Sequence, residues 1–461
     1  MGAPEFANET ETIYALASAA GRAGIAVIRI SGPGAGPALA GLAGAGSAET
    51  PLIPRRATPV RLTDPTTSET IDDGLAIWFP GPASFTGEDV AELHVHGGHA
   101  VVAGILEALG AMRGLRMAEP GEFSRRAFEN DKFDLTAAEG LADLVDAETS
   151  AQRRQALRQL QGELGRLYES WRERLLSALA HREAEIDFSD EDLPDGVAAA
   201  ARTEVARLEK EIAEHLEDGR RGERLRSGLH IAIIGPPNAG KSSLLNLLAQ
   251  RDAAIVSATA GTTRDVIEVH LDLGGYPVVV ADTAGLRDGR DDIEIEGVRR
   301  ARDRASEADL RLAVFDGEAW PEADPMTAGL VDANTVVVIN KIDLKAPAPP
   351  LEVNGEPALG ISALRGDGID RLLTVVTDRV SGIVTGTAST APALTRARHR
   401  EALEECRAAL KRFLAAAGDA KTPELAAEDL RLAARALGRI TGRVDVDEVL
   451  DVIFRDFCIG K

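Results

Sequence analysis

Two cysteines, Cys406 and Cys458, are all that the 461 residues contain. A disulfide framework is thereby excluded, and so is the paired-cysteine spacing of a zinc site. No run approaches the ~20 consecutive apolar residues of a membrane span, and the N-terminus lacks the basic stretch and long apolar core of a secretory leader. A cytoplasmic protein without a membrane partner is expected. Positive charge is scarce as well: 52 Lys and Arg stand against 74 Asp and Glu, a net charge of -22. Nucleic-acid affinity comes largely from cations that displace counterions, so RNA would not be held strongly over the whole surface. A basic partner would have to provide such a surface. The length, at ~150 residues per domain, suggests about three domains.

What is present is concentrated in four short motifs. Gly235-Pro-Pro-Asn-Ala-Gly-Lys241-Ser242 follows the apolar run Leu229 to Ile234, the strand-then-turn context in which G-x-x-x-x-G-K-[ST] cradles phosphates. Backbone N–H groups from Asn238, Ala239, Gly240, Lys241, Ser242 and Ser243 would face the phosphate oxygens, Lys241 would reach the β and γ phosphates, and Ser242 would bind Mg²⁺. Asp282-Thr283-Ala284-Gly285 follows a second apolar strand, Val278 to Ala281, and brings a carboxylate near the metal and a glycine amide near the γ-phosphate. Asn340-Lys341-Ile342-Asp343 follows a third, Val336 to Ile339. Asp343 can accept from both N1–H and the 2-amino group of guanine, donors that adenine lacks there. Ser362-Ala363-Leu364 would complete the base pocket. Four motifs in this order, each at a strand end, identify a GTP site.

The switch region lies between the first two motifs. Ser257, Ala258, Thr259 and Ala260 precede Gly261-Thr262-Thr263, and Thr263 is placed to give its hydroxyl to Mg²⁺ while the γ-phosphate is present. Many small GTPases orient the attacking water with a glutamine directly after Asp-x-x-Gly. Here that position is Leu286, which cannot align water. Glu294 is one candidate replacement, although a solvated acid in the charged run Asp288 to Glu296 is an equally simple reading of the residue. A cation is another. The Asn238 side-chain carbonyl, with backbone carbonyls around Ser257, Thr259 and Thr262, could hold a monovalent ion that neutralises charge developing in the transition state. Asn238 as a turn-former is the alternative.

Patterning outside these motifs divides the chain. Residues 1–128 are rich in glycine, proline and short β-type runs (Ile25 to Ile30, Gly74 to Phe79, Val90 to Val95) and read as an α+β domain. Residues 129–226 have helical periodicity with interspersed charge, and Asp187 to Gly196 reads as a turn between two long helices. Strands alternate with helices over 227–384, as in a parallel sheet covered on both faces. Small residues from Thr385 to Pro392 form a linker, and helical patterning resumes within 385–461. The expected architecture is multidomain: an N-terminal α+β domain, then an α-helical domain into which an α/β P-loop GTPase domain is inserted.

Five segments carry a resemblance to a known family: the GTPase set, Gly24-Ile-Ala-Val-Ile-Arg29-Ile-Ser-Gly32, Phe85-Thr-Gly-Glu-Asp89 with Glu92-Leu-His-Val-His-Gly-Gly98, Pro120-Gly-Glu-Phe-Ser-Arg-Arg-Ala-Phe-Glu-Asn-Asp-Lys132, and the final Cys458-Ile-Gly-Lys461. Together they resemble the MnmE (TrmE) family of tRNA modification GTPases over nearly the whole chain. The resemblance implies a homodimer that works with the flavoprotein MnmG (GidA), in a heterotetramer or larger complex, on tRNA. The product would be an aminomethyl or carboxymethylaminomethyl group at C5 of the wobble uridine (U34). The one-carbon unit would come from a reduced tetrahydrofolate (5,10-methylene or 5-formyl form), and the N-terminal domain would bind that folate and dimerise. It further implies folate contacts at Arg29, Glu92, Lys132 and Lys461. A guanidinium and two ammonium groups suit the folate's glutamate tail or ring carbonyl, and a carboxylate suits pterin N–H donors. A potassium site is implied at Asn238, Ser257, Thr259 and Thr262, magnesium at Ser242 and Thr263, and water orientation by Glu294. Cys458 is either a thiol used in the modification chemistry or packing for the terminal segment. Residues alone leave two other readings, a GTP-controlled ribosome-assembly factor and a dynamin-like membrane remodeller. The first lacks its usual Gly-x-x-Gly loop and basic surface here, and the second lacks a basic amphipathic segment.

Overall fold

The computed structural model describes residues 11–43, 53–187, 197–251, 253–255, 268–282, 307–347, 351–385, 392–416, 423–444, 450, 453–455, 457 and 460. They divide into two compact units. The first holds residues 1–142, 165–169 and 438–461, and the second 143–164 and 170–437.

The first unit is built on a six-stranded sheet of β1 (Thr12–Leu16), β2 (Ala26–Ser31), β3 (Thr58–Thr63), β4 (Thr70–Phe79), β5 (Val90–Val95) and β6 (Leu115–Met117), in the order β3-β4-β5-β2-β1-β6. All pairs are antiparallel except β1 with β6. Alternation of side chains decides what each face carries. On β2, Ala26, Ile28 and Ile30 join Leu93 and Val95 of β5 in the core under α1 (Ala35–Leu42) and α2 (His99–Gly110). Arg29 therefore lies on the opposite face, directly across from Glu92 in register. Two further helices, α3 (Glu122–Glu129) and α4 (Leu135–Asp146), follow. Leu135 and Ala138 of α4 pack with Leu450, Phe454 and Phe457 from near the end of the sequence. That apolar cluster is why residues 438–461 belong to this unit. Gly121, at φ 68°, makes the approach possible, because a Cβ there would overlap the Phe454 carbonyl.

The second unit contains a seven-stranded sheet and the helices on either side of it in sequence. Helix α5 (Ser150–Leu160) starts at a capping box, in which the Thr149 hydroxyl accepts from Gln152 N and Gln152 Oε1 accepts from Thr149 N. Then come α6 (Glu163–Asp187), α7 (Val197–Leu216) and α8 (Arg221–Ser227). The sheet follows with β7 (Leu229–Ile234), helix α9 (Lys241–Ala249), β8 (Glu268–Leu273), β9 (Tyr276–Asp282), β10 (Leu310–Asp316), β11 (Thr335–Asn340), β12 (Glu352–Val353) and β13 (Glu356–Gly360). Its order is β12-β13-β11-β10-β7-β9-β8, parallel through the five central strands and antiparallel at both edges. All six residues of β11 are buried, as a central parallel strand covered on both faces requires. Two apolar cores, one per face, result. Before the sheet, Arg174 of α6 reaches Glu211 of α7 at 2.7 Å, and a helix after it packs on the same α7, where Arg407 of the helix Ala397–Ala416 reaches Glu209 at 2.9 Å. Among the described residues no helix is long and apolar enough to cross a membrane.

Candidate functional site

The carboxyl ends of the parallel strands β7, β9, β11 and β13 lie along one edge of the sheet, where ligands of open α/β sheets bind. The loop after β7 depends on conformations that side chains disfavour. Gly235 has φ 151° and approaches the Val314 carbonyl so closely that a Cβ would overlap it, while Gly240 has φ 94° and lies against Asn340. Asn238 itself adopts a left-handed φ of 64°, which asparagine tolerates better than most residues. Lys241, the first residue of α9, is buried, and its Nζ donates to the Gly235 and Pro236 carbonyls at 2.9 Å each. The ammonium is thus curled into the loop whose phosphates it would meet. Ser242 and Ser243 are exposed at the helix start, and the backbone of Asp282 pairs with Ile233, one residue from the end of β7.

Asn340 ties the phosphate loop to the base loop. Its Nδ2 donates to the Ala239 carbonyl at 2.8 Å, and its Oδ1 accepts from Ala363 N at 2.9 Å. Lys341 pairs with Asp316 at 2.6 Å, an interaction that raises the lysine's pKa. The hydroxyl of fully buried Ser362 holds the Asp343 carboxyl below the usual carboxylate range. Asp343 is therefore ionised at neutral pH and able to accept two hydrogen bonds. Leu364, two residues after Ser362, is exposed. Ser257, Ala258, Thr259, Ala260, Gly261, Thr262, Thr263, Thr283, Ala284, Gly285, Glu294, Cys458 and Lys461 lie outside the described residues, as does the side chain of Asp282.

The first unit holds a second polar site. Arg29 Nε and Nη2 donate to Glu92 Oε1 at 3.0 and 2.9 Å, and both side chains are about one-fifth exposed. The guanidinium stands 5.3 Å from the ring centre of Phe85 and 5.7 Å from that of Phe123. Its Nη1 donates to the Gly460 carbonyl at 3.4 Å, which brings the end of the sequence to the same place. Gly460 must be glycine there: φ is 96°, and a Cβ would overlap the Leu16 carbonyl. His94 Nε2 lies 3.5 Å from Glu92 Oε2 and is buried without a hydrogen-bond partner among the described residues. Lys132 is exposed and donates to the Pro82 carbonyl at 2.5 Å rather than to the Arg29–Glu92 pair. Nearby, Ser31, Thr86, Glu88 and Arg126 form a polar network, with Ser31 Oγ 2.7 Å from Thr86 Oγ1 and Arg126 Nη1 3.1 Å from Glu88.

Comparison with known proteins gives two family matches that follow the fold: residues 12–132 match the GTP-binding protein TrmE N-terminus, and residues 135–458 match the MnmE helical domain. Among relatives, the tRNA modification GTPase MnmE of Paramagnetospirillum magneticum is 61% identical over 98% of this chain and 100% of its own length. The chain belongs to the MnmE family of tRNA modification GTPases. The namesake from Parvibaculum lavamentivorans is 58% identical over the same shares. A human mitochondrial relative, 5-taurinomethyluridine-tRNA synthase subunit GTPB3, is 50% identical over 98% of this chain and 93% of its own. The chain is accordingly an enzyme that hydrolyses GTP in tRNA modification, and the ribosome-assembly reading has no support from these relatives.

Sequence reasoning assigned no role to Phe85, Phe123 or His94. All three fall in segments that carry the family resemblance, which was the available signal; the fold alone brings the two rings to Arg29.

Proposed function

We propose that this chain, as a homodimer in the cytoplasm, couples GTP hydrolysis to installation of an aminomethyl or carboxymethylaminomethyl group at C5 of the wobble uridine, together with an MnmG-type flavoprotein. The observation that carries this reading is the Arg29–Glu92 pair between Phe85 and Phe123, with the Gly460 carbonyl against the guanidinium. A reduced folate fits that donor set. Its planar pterin suits the two rings, Glu92 can accept from its N–H donors, and His94 Nε2, which has no hydrogen-bond partner among the described residues and lies 3.5 Å from Glu92 Oε2, offers one further polar atom. Bound there, the folate would supply the one-carbon unit. Arg29 and Glu92 orient it, with Lys132 and Lys461 available to its carboxylates, and the aromatic walls exclude water.

On the GTPase side, Asp343 reads guanine, Lys241 leaves its carbonyl partners for phosphate oxygens, and Ser242 with Thr263 and Asp282 suits Mg²⁺. Potassium, held by Asn238 with Ser257, Thr259 and Thr262, would supply positive charge beside the phosphates, and Glu294 would orient water in place of the residue that Leu286 cannot be. Calorimetry with 5-formyltetrahydrofolate tests the folate assignment: the wild type should bind and Arg29→Ala should weaken binding by at least about tenfold, the loss of one charge-assisted contact. Absence of heat in the wild type removes the assignment. Hydrolysis rates that match in potassium and sodium at equal ionic strength would remove the cation site.

A further inference from the structure

A cleft of about 390 Å³ lies inside the second unit, where α5, α8, the β8–β9 turn and the segment before the helix Ala397–Ala416 meet. None of the motifs reaches it. Helical spacing places Arg154 and Arg158 of α5 on its wall, and Arg221 of α8 adds a third guanidinium. Glu163 pairs with Arg158 at 2.8 Å and is the one carboxylate in the lining. Among the described residues Arg154 has Ser150 Oγ, at 3.3 Å, as its only hydrogen-bond partner and no carboxylate. Arg158 is balanced by Glu163 and Arg221 Nε donates to the Asp218 carbonyl at 2.9 Å, so it is the charge of Arg154, four residues from the like charge of Arg158 and with no carboxylate among the described residues, that calls for an anion.

Two more observations point the same way. Thr395, 2% exposed, lines the cleft, and its Oγ1 has no hydrogen-bond partner among the described residues. The half-buried ring of Tyr276 and the side chains of Leu225 and Val384 add apolar surface. The walls are held by direct contacts: Ala151 N donates to the Gly275 carbonyl at 3.1 Å, and Gln155 Nε2 to the Gly222 carbonyl at 3.0 Å. Gly222 is packed so closely on Leu394 that a Cβ would overlap its carbonyl. A preformed cavity of this size with convergent cations, a spare hydroxyl and one aromatic ring has the make-up of a small-ligand site.

We infer that this cleft binds a nucleotide phosphate, with the phosphate on Arg154 and Arg221 and the base against Tyr276. Guanidinium forks suit phosphate oxygens, and an aromatic face accepts any base. The nucleotide could be free or part of tRNA, and titrations of the full chain distinguish these sources. With the GTPase pocket saturated by GDP and Mg²⁺, uridine 5′-monophosphate and unmodified tRNA are titrated separately onto wild type, Arg154→Glu and Arg154→Gln. Thermal midpoint and GDP affinity check that both variants fold. Charge reversal should weaken the productive ligand by about tenfold or more, with the glutamine variant between it and wild type. Weakening seen with the mononucleotide assigns a free nucleotide, and weakening confined to tRNA assigns an RNA phosphate. Unchanged affinities for both, in folded variants, overturn the inference.

Discussion

Replacing Gly240 with alanine tests how the phosphate loop is held. At φ 94° an alanine is strained, and its Cβ would overlap Asn340 Nδ2. The backbone penalty is on the order of 1–3 kcal/mol. Displacing the carboxamide also gives up the bond to Ala239 and disturbs the one to Ala363, each worth about 1 kcal/mol. A loop that must be native to bind phosphate can relax when empty, so most of this cost falls on the nucleotide-bound state. If roughly 3 kcal/mol appears there, at about 1.4 kcal/mol per tenfold, GDP affinity falls by about 10²-fold. Fluorescence titration with a labelled GDP reads this directly, and a melting curve without nucleotide shows the smaller share borne by folding. A Kd within about threefold of wild type, with the melting temperature unmoved, would show that neither the strain nor the Asn340 contact governs the pocket.

Gly382 provides the contrast. It lies in the helix Ile369–Thr385 with open space around its would-be Cβ, so Gly382→Ala should stabilise by about 0.5–1 kcal/mol, and a lowered thermal midpoint would contradict that. Burial pushes His215 down from 6.5 to about 4. The unfolded chain then takes up a proton below 6.5 that the folded one refuses until about 4, so the stability is intact above 6.5 and is lost as pH falls through that window. Between pH 7.5 and 5 the wild type should lose about 2 kcal/mol more than His215→Gln, and parallel urea-unfolding curves would refute the burial argument. Glu294→Ala should leave GDP affinity nearly intact while slowing single-turnover hydrolysis on the order of 10²-fold or more. An unchanged rate would transfer water orientation to another group.

The GTPase body was legible because each motif is local and sits at the end of an apolar run that can only be a buried strand. Leu229 to Ile234 and Val336 to Ile339 announce β7 and β11 by composition alone. The Arg29–Glu92 pair was not legible in that way. The two residues are 63 positions apart, and only strand register makes them neighbours, so resemblance supplied what spacing could not. The long-range work of Leu450, Phe454 and Phe457 was hidden too. Helical periodicity says that a face is buried without naming its partner, and here the partner is α4, encoded far upstream. The cleft beside α5 escaped notice because Arg154 and Arg158 in sequence are indistinguishable from a solvated helix face. Tyr276 and Thr395 come to them from the sheet and from the start of the last helical stretch.

The first unit is assembled from pieces that lie far apart in the sequence. A ribosome releases the six-stranded sheet and α4 long before it makes Leu450, Phe454 and Phe457, so the apolar faces of Leu135 and Ala138 spend most of the synthesis uncovered. The GTPase body, contiguous from β7 to β13, can close while that wait continues. The bond from Arg29 to the Gly460 carbonyl can form only after the strands of the GTPase body have been made. A chain that stops before Leu450 would keep every strand of the GTPase body and leave the apolar face of Leu135 and Ala138 uncovered.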